Sequence, residues 1–240
     1  MIEVKELEKK FGSFIAVDKV SFQVKKGEIF GLLGENGAGK TTTLRILATM
    51  LQPTSGSASL GGFDVVREPE KVRAHIGILF GGETGLYDRL TAQENIAYFG
   101  ELNGMDKAQI RERSGKLAET FEMKEFMDKR AHNLSKGMKQ KVAFARSIIH
   151  NPDIMLFDEP TSGLDVGAAR EVHAFILECK AAGKTILFSS HTMQEVDKLC
   201  DRIGIIHKGR LIETGTLDEI KNKYGDNDLE EIFIKVAGAK

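Results

Sequence analysis

The chain has 240 residues, of which 41% are apolar and 29% are charged, and its formal net charge is −1. This balance is that of an ordinary globular protein and excludes an overall basic field, so we expect no nucleic-acid partner. Two cysteines are too few for a disulfide framework, and no apolar run approaches the roughly 18 residues that a membrane-spanning helix needs. If such a protein works at a membrane, we expect it to do so from the water side.

The first 80 residues combine strand and turn patterns with two helix patterns. Apolar alternation at residues 17–24 predicts a short antiparallel sheet. The apolar run Ile29–Leu33 predicts a buried strand, which a glycine-rich turn and a helix over residues 41–50 follow. Residues 68–80 repeat this order with a short helix and then a strand from residue 76.

From residue 88 to about residue 151 the pattern is helical. Thr91 and Glu94 form a capping box before an apolar-periodic stretch, and a helix from Ser135 carries Met138 and Val142 on one stripe. Strands and helices then alternate at residues 154–157, 166–181, 185–188, 193–200 and 203–207, and helices follow from residue 217.

These elements predict an α/β fold with a mixed, mainly parallel sheet and flanking helices, an N-terminal antiparallel β subdomain and an inserted helical subdomain. We expect one domain over residues 1–216, with the helical insertion at about 88–151, and a C-terminal helical extension over residues 217–240.

Residues 34–41 read GENGAGKT and satisfy G-x-x-x-x-G-K-[ST] in full, which predicts a P-loop NTPase core. Glycines let successive backbone N–H groups turn towards a polyphosphate, and the following helix points its positive end at the same place. Lys40 would bring charge to the β- and γ-phosphates, and the Thr41 hydroxyl would reach Mg²⁺. The alternative, a glycine-rich turn that happens to end in Lys-Thr, leaves the strand before it and the helix after it unexplained. The predicted nucleotide-binding residues here are Gly34, Glu35, Asn36, Gly37, Ala38, Gly39, Lys40, Thr41 and Thr42.

Two carboxylates, Asp158 and Glu159, follow the apolar residues 154–157 at the C-terminal end of a predicted strand, where open α/β sheets bind ligands. Asp158 would hold Mg²⁺ through its water shell, and Glu159 is placed to orient or deprotonate an attacking water. His191 follows the strand at 185–188 and would sense the γ-phosphate through a hydrogen bond. Glu159, His191 and Lys40 are the predicted catalytic residues. The alternatives are a capped strand end for the carboxylates and an ordinary surface or core histidine for His191.

Residues 134–138, with the sequence LSKGM, resemble the LSGGQ signature of the ABC ATPases. The order of the motifs matches that family: P-loop, signature, carboxylate pair, a D-loop at 162–165 and the histidine. The resemblance implies two such domains packed head to tail, with each ATP between one P-loop and the signature of the partner. It places Ser135 and Gly137 at the partner's γ-phosphate, Asp165 at the nucleotide site and Phe11 against the adenine, although Phe11 could equally be a core side chain.

The sequence departs from the family pattern at two places. Lys136 and Met138 replace Gly and Gln in the signature, and residues 80–83, with the sequence FGGE, stand where the family carries a glutamine that links Mg²⁺ to the membrane partner. We expect water to take the place of that glutamine and the two glycines to act as a hinge beside the permease. Glu83 would contact this water or, as we favour, face solvent.

Residues 80–91 and the form of the signature look like those of the Nat-type sodium-extrusion subunits among the ABC-2 exporters. The resemblance implies a subunit that binds and hydrolyses ATP with Mg²⁺ and drives a separate permease chain, with sodium as the implied substrate. It also implies a peripheral protein on the cytoplasmic face of the cell membrane.

Two other functions stay open as alternatives. A DNA-repair or chromosome ATPase would need a long heptad insertion or a zinc module, and residues 88–134 contain neither pattern. A ribosome-associated factor would carry two tandem ATPase domains, whereas this chain ends after one.

Overall fold

The computed structural model describes residues 1–80 and 85–238. Its elements are, in chain order, β1 (Ile2–Phe11), β2 (Phe14–Val24), β3 (Ile29–Leu33), α1 (Lys40–Leu47), β4 (Ser55–Leu60), β5 (Phe63–Asp64), α2 (Pro69–His75), β6 (Ile76–Leu79), α3 (Ala92–Leu102), α4 (Lys107–Thr120), α5 (Lys136–Ser147), β7 (Ile154–Asp158), α6 (Val166–Ala181), β8 (Thr185–Ser190), α7 (Met193–Leu199), β9 (Arg202–His207), β10 (Arg210–Thr216), α8 (Leu217–Tyr224) and α9 (Leu229–Gly238). The expectations for the glycine pair and for Glu83 fall on residues outside the described ranges.

A six-stranded sheet in the order β10-β9-β3-β8-β7-β6 carries the fold. Its neighbouring strands pair in parallel except β10, which runs antiparallel to β9. Every residue of β3, β7 and β8 is buried, because apolar clusters cover both faces of the sheet. The predicted mixed, mainly parallel sheet of a P-loop NTPase core is confirmed. Since parallel strands end at the same edge, the segments that follow β3, β8 and β7 lie side by side.

The N-terminal sheet has four strands in the order β2-β1-β4-β5, and all its pairs are antiparallel. An antiparallel sheet was predicted around residues 17–24, but β4 and β5 were missed, as was β10 of the six-stranded sheet. Ser55–Leu60 is made mostly of small polar residues with weak strand preference, and only Ala58 and Leu60 are buried in it. Pairing with β1, which places Ile2 opposite Leu60, determines that strand, so its own residues carry little signal.

The helical segment packs onto the large sheet through an aromatic cluster around Phe144 of α5. Its ring lies 4.8 Å from that of Phe157 in β7, 5.3 Å from Phe121 and 5.6 Å from Phe175 of α6, measured between ring centroids. Phe144 and Phe157 are fully buried, so α5 is fixed against the strand that ends at Asp158.

Several helix ends match the sequence and one does not. Thr91 forms the predicted capping box with Glu94, and Ser135 is the N-cap of α5. The helix expected over 41–50 begins at Lys40 and ends at Leu47, and Thr49 adopts a left-handed φ of 62° that ends it. None of the helices in the described part of the chain is long and apolar enough to span a bilayer.

Candidate functional site

The segment between β3 and α1 is held in one conformation by close backbone packing. A Cβ on Gly34 would lie 2.3 Å from the carbonyl oxygen of Ile206, and one on Gly39 would lie 2.5 Å from that of Ala16. Gly39 also has a φ of 108° and is the N-cap of α1, with no side chain capping that end. The first N–H groups of α1 are therefore available to an anion, and the helix dipole favours one there.

Lys40 lies at the centre of this loop and is almost fully buried. Its Nζ donates to the carbonyl oxygens of Gly34 at 2.6 Å and Glu35 at 3.0 Å, and lies 4.0 Å from Oε1 of Glu159. Burial lowers the pKa of Lys40 from its usual value, and the carboxylates of Glu159, Asp158 and Glu35 oppose that shift. The loop thus holds a cation beside the uncapped end of α1, as phosphate binding requires.

Asp158 ends β7 and joins the loop to the neighbouring strand. The Thr41 hydroxyl donates to its Oδ2 at 2.8 Å, and the Ser189 hydroxyl donates to its Oδ1 at 2.5 Å. A hydroxyl and a carboxylate side by side are the hard oxygen donors that Mg²⁺ takes together with substrate phosphates. The donor set therefore fits the predicted metal residues, Thr41 and Asp158. No group of three or more His, Cys, Asp or Glu side chains arranged to hold a metal occurs within residues 1–80 and 85–238.

Glu159 and His191 face each other across the ends of β7 and β8, with 3.0 Å between Oε1 of the carboxylate and Nδ1 of the ring. Glu159 has a left-handed φ of 49°, which is uncommon for a residue with a long side chain. Its N–H donates to both the carbonyl and the hydroxyl oxygen of Ser189, at 3.1 and 3.2 Å. This backbone turns the carboxylate towards Lys40, where it could accept a proton from a water next to the phosphate site.

Four side chains that support this site were not found from the sequence: Thr161, Ser189, Ser190 and Glu195. Glu195 of α7 is buried and accepts hydrogen bonds from Thr161 and Ser190. Its contacts link residues far apart in the chain, so no local pattern reports them. The only available signal was the pair of serines directly before His191.

The signature residues lie at the N-terminus of α5. Ser135 is exposed, and its hydroxyl accepts a hydrogen bond from the Met138 N–H at 3.3 Å. A Cβ on Gly137 would meet no heavy atom within 4 Å. Lys136 packs along Gly163, where an added Cβ would lie 2.6 Å from the lysine Nζ.

Asp165, the last residue of the predicted D-loop, is the N-cap of α6, and its Oδ1 accepts a hydrogen bond from Ala168 at 2.9 Å. Across the described ranges, no hydrogen bond or ion pair joins Ser135, Gly137 or Asp165 to residues 34–42. Within the described part of a single chain, these residues and the P-loop are thus not joined by a polar contact.

Phe11 ends β1 and is 49% exposed, and Nζ of Lys9 lies 5.1 Å from the centre of its ring. The alternative that Phe11 is a core side chain is wrong. The turn between β1 and β2 leaves both Phe11 and its partner Phe14 at the surface, where their apolar faces can accept a planar ligand.

Comparisons with known proteins agree with this geometry. The profile of the ABC transporter family matches residues 17–162, and one described as AAA domain, putative AbiEii toxin, Type IV TA system, matches residues 128–197. The chain is similar to the ABC transporter ATP-binding protein NatA of Bacillus subtilis (strain 168), with 50% identity over 219 residues that cover 91% of this chain and 89% of NatA. It is also similar to the probable multidrug ABC transporter ATP-binding protein YbhF of Escherichia coli (strain K12), with 40% identity over 241 residues. This alignment covers 98% of this chain and 41% of YbhF.

Among solved structures, the chain resembles a dimeric post-hydrolysis state of the ATP-binding cassette MJ0796 bound to ADP and Pi. The TM-score is 0.82 at 26% identity, over 90% of this chain and 98% of that one. The profile covers more than half of the chain, and NatA is matched over most of both lengths. The chain therefore belongs to the ATP-binding proteins of ABC transporters.

Proposed function

We propose that this chain hydrolyses ATP with Lys40, Glu159 and His191 as its catalytic residues. The observation that carries the proposal is the position of the Glu159 carboxylate, 4.0 Å from the Lys40 Nζ and 3.0 Å from the His191 ring. Lys40 and the uncapped end of α1 bind the phosphates. Glu159 orients a water and accepts its proton, and His191 holds the carboxylate and senses the γ-phosphate.

Thr41 and Asp158 would hold Mg²⁺ in this proposal. Their oxygens are already in contact at 2.8 Å, and Ser189 fixes the other carboxylate oxygen of Asp158. The ion supplies charge neutralisation on the phosphate oxygens. The remaining P-loop residues, 34–39 and Thr42, surround the phosphates, and Phe11 stacks on the adenine.

We propose further that two chains act as a head-to-tail dimer. The N-terminus of α5 is exposed at Ser135 and open at Gly137, so another molecule has room to approach its N–H groups. Because the Ser135 hydroxyl already caps its own helix, it can accept from the helix and donate its proton outward at the same time. The cassette MJ0796, which this chain resembles, is described as dimeric.

The partner that couples hydrolysis to transport is, in this proposal, a separate permease chain, which the ATPase meets at the cytoplasmic face of the membrane. A groove of about 670 Å³ between α2, α3 and α5 is lined by Arg73, Arg146 and His150 with one acidic residue, Glu70. The Arg146 guanidinium lies over the Phe99 ring and donates to the carbonyl oxygen of Gly85, directly after residues 81–84. Arg73 is exposed at this groove, where it can pair with a carboxylate on a permease segment.

We propose export as the direction of transport and sodium as the substrate. Both rest on the resemblance of residues 80–91 and of the signature to sodium-extrusion subunits, and the related YbhF is described as a probable multidrug transporter component. Flux of sodium and of cationic drugs in vesicles that hold the native complex separates the two substrates.

The Glu159→Gln variant tests the hydrolytic proposal. It keeps the shape and part of the hydrogen bonding of the side chain and removes the base, so we expect ATP binding, loss of steady-state hydrolysis and accumulation of an ATP-bound dimer. The Glu178→Gln variant, which changes a carboxylate on α6 away from the site, is the matched control. Turnover of the Glu159→Gln variant near the wild-type rate would show that Glu159 is not the base.

Affinity purification from membranes tests the partner. We expect a permease to co-purify with the wild-type chain, and Arg73→Glu to lose it while the isolated ATPase keeps its rate. Arg67→Glu, an exposed arginine outside the groove, is the control. Recovery of ribosomes or DNA in place of a membrane protein would support one of the alternative functions.

A further inference from the structure

A buried polar cluster lies behind the catalytic carboxylate, and its centre is Glu195 of α7. Oε1 of Glu195 accepts hydrogen bonds from the Thr161 hydroxyl at 2.8 Å and from Nε2 of His173 at 2.9 Å. Oε2 accepts from the Ser190 hydroxyl at 2.7 Å, and the Ser190 oxygen accepts from the Thr192 N–H at 3.0 Å. Glu195 is only 5% exposed, and carboxylates are rarely buried unless they are paired.

The electrostatics of the cluster favour an ionised Glu195. Burial opposes the charged form, but the hydrogen bonds from His173, Ser190 and Thr161 outweigh it and hold the pKa of Glu195 below its usual value. A charged acceptor also makes shorter and stronger hydrogen bonds than a neutral one. The carboxylate is thus a firm anchor for the segments that supply its donors.

Two of these donors belong to the segments that carry the proposed catalytic side chains. Thr161 is two residues after Glu159, in a turn where the Ser162 N–H bonds to the Glu159 carbonyl at 3.1 Å. Ser190 comes directly before His191. Glu195 therefore connects the segment after β7 to the end of β8, which are the two supports of the contact between Glu159 and His191.

We propose that Glu195 is a positioning residue for ATP hydrolysis: it holds the segments of Glu159 and His191 in register, so that the imidazole and the catalytic carboxylate meet. The inference rests on the proposed function, because Glu195 acts through the side chains of Glu159 and His191. Among the described residues, no hydrogen bond or ion pair joins Glu195 to either side chain, so its effect is on the geometry in which the water attacks the phosphate. Small displacements of a catalytic group are enough to lower a rate strongly.

The test is Glu195→Gln, which keeps the volume but removes the charge and one acceptor for Ser190. We expect kcat to fall by about tenfold to a hundredfold, as for a misplaced catalytic group, while the KM for ATP changes by less than about twofold. Asp197→Asn, on the same helix and paired with Lys221 outside the cluster, should keep the wild-type kcat. If Glu195→Gln is poorly folded, Thr161→Val and Ser190→Ala each remove one donor and should lower kcat in the same direction.

A double-mutant cycle with His191→Ala separates positioning from a general structural role. Single-turnover hydrolysis should fall in His191→Ala, and Glu195→Gln should then add less than about a twofold further loss, because it acts through the missing ring. Three results would each overturn the inference while leaving the proposed function intact. The first is a double variant whose rate loss is the product of the two single losses. The others are a loss of ATP affinity that parallels the loss of kcat, and a wild-type kcat in Glu195→Gln. A wild-type rate in His191→Ala would instead refute the proposed role of His191, and the inference with it.

Discussion

Replacing Gly137 by alanine should change stability and activity in opposite directions. The residue is the second of α5, its φ lies outside the left-handed region, and an added Cβ meets no heavy atom within 4 Å. Alanine in place of glycine in a helix stabilises it by about 0.5–1 kcal/mol. For a chain of this size about 1 kcal/mol corresponds to roughly 2–4 °C in Tm, so Gly137→Ala should melt up to about 4 °C higher than the wild type.

Activity should fall because, in the proposed dimer, the same methyl group is added to the first turn of α5, which the phosphate of the partner's ATP approaches. Loss of a hydrogen bond to a charged group costs about 1.5–3 kcal/mol, which is about tenfold to more than a hundredfold in kcat. ATP binding to the single chain should stay within about twofold, since no hydrogen bond links Gly137 to the P-loop within the described ranges.

The assay pairs a thermal melt with steady-state hydrolysis, and Gly115→Ala is the control. Gly115 is in the middle of α4, also without a left-handed φ and with no atom within 4 Å of an added Cβ. It should gain a similar stability and keep full activity. If Gly137→Ala also keeps full activity, no phosphate approaches the N-terminus of α5 and the head-to-tail arrangement is refuted.

Three further variants address the P-loop and the dimer. Lys40→Ala removes a charge-assisted contact of about 1.5–3 kcal/mol, so ATP affinity in calorimetry should fall by about tenfold to a hundredfold; unchanged affinity would contradict the P-loop assignment. Ser135→Arg should bind ATP and lose hydrolysis, then regain part of it when mixed with excess Glu159→Gln protein, and no rescue at any ratio would count against action in trans. Gly34→Ala forces a Cβ to within 2.3 Å of the Ile206 carbonyl, so it should destabilise the fold by about 1–3 kcal/mol, and a Tm equal to that of the wild type would show that β9 yields there.

The sequence predicted those parts of the site that local patterns record. Gly34, Lys40 and Thr41 belong to one contiguous motif, and Asp158 and Glu159 directly follow four apolar residues, so both groups could be placed at strand ends in advance. The parallel sheet then brings these ends to one edge. Only β8 lies between β3 and β7 in this sheet, so the two groups are one strand apart.

Contacts between distant segments could not be predicted in the same way. Thr161 and Glu195 are 34 residues apart, and neither an apolar period nor a motif reports a buried carboxylate on α7. Strand β4 was missed for a related reason, since its small polar residues become a strand only through pairing with β1. Phe11 was left open because sequence alone does not tell a surface aromatic from a core one.

The aromatic packing of Phe144 against Phe157 has a consequence for how two ATP molecules influence each other. It joins the later part of α5, the helix whose start would serve the neighbour's nucleotide, to the strand that carries the chain's own Asp158. In a head-to-tail pair, α5 of one chain would shift when it closes over the nucleotide of the partner. The rigid buried contact would then transmit this shift to Asp158 and Glu159 at the first chain's own nucleotide site. The rate of hydrolysis plotted against ATP concentration should consequently be sigmoidal. Its Hill coefficient should lie above about one and cannot exceed about two, the number of sites.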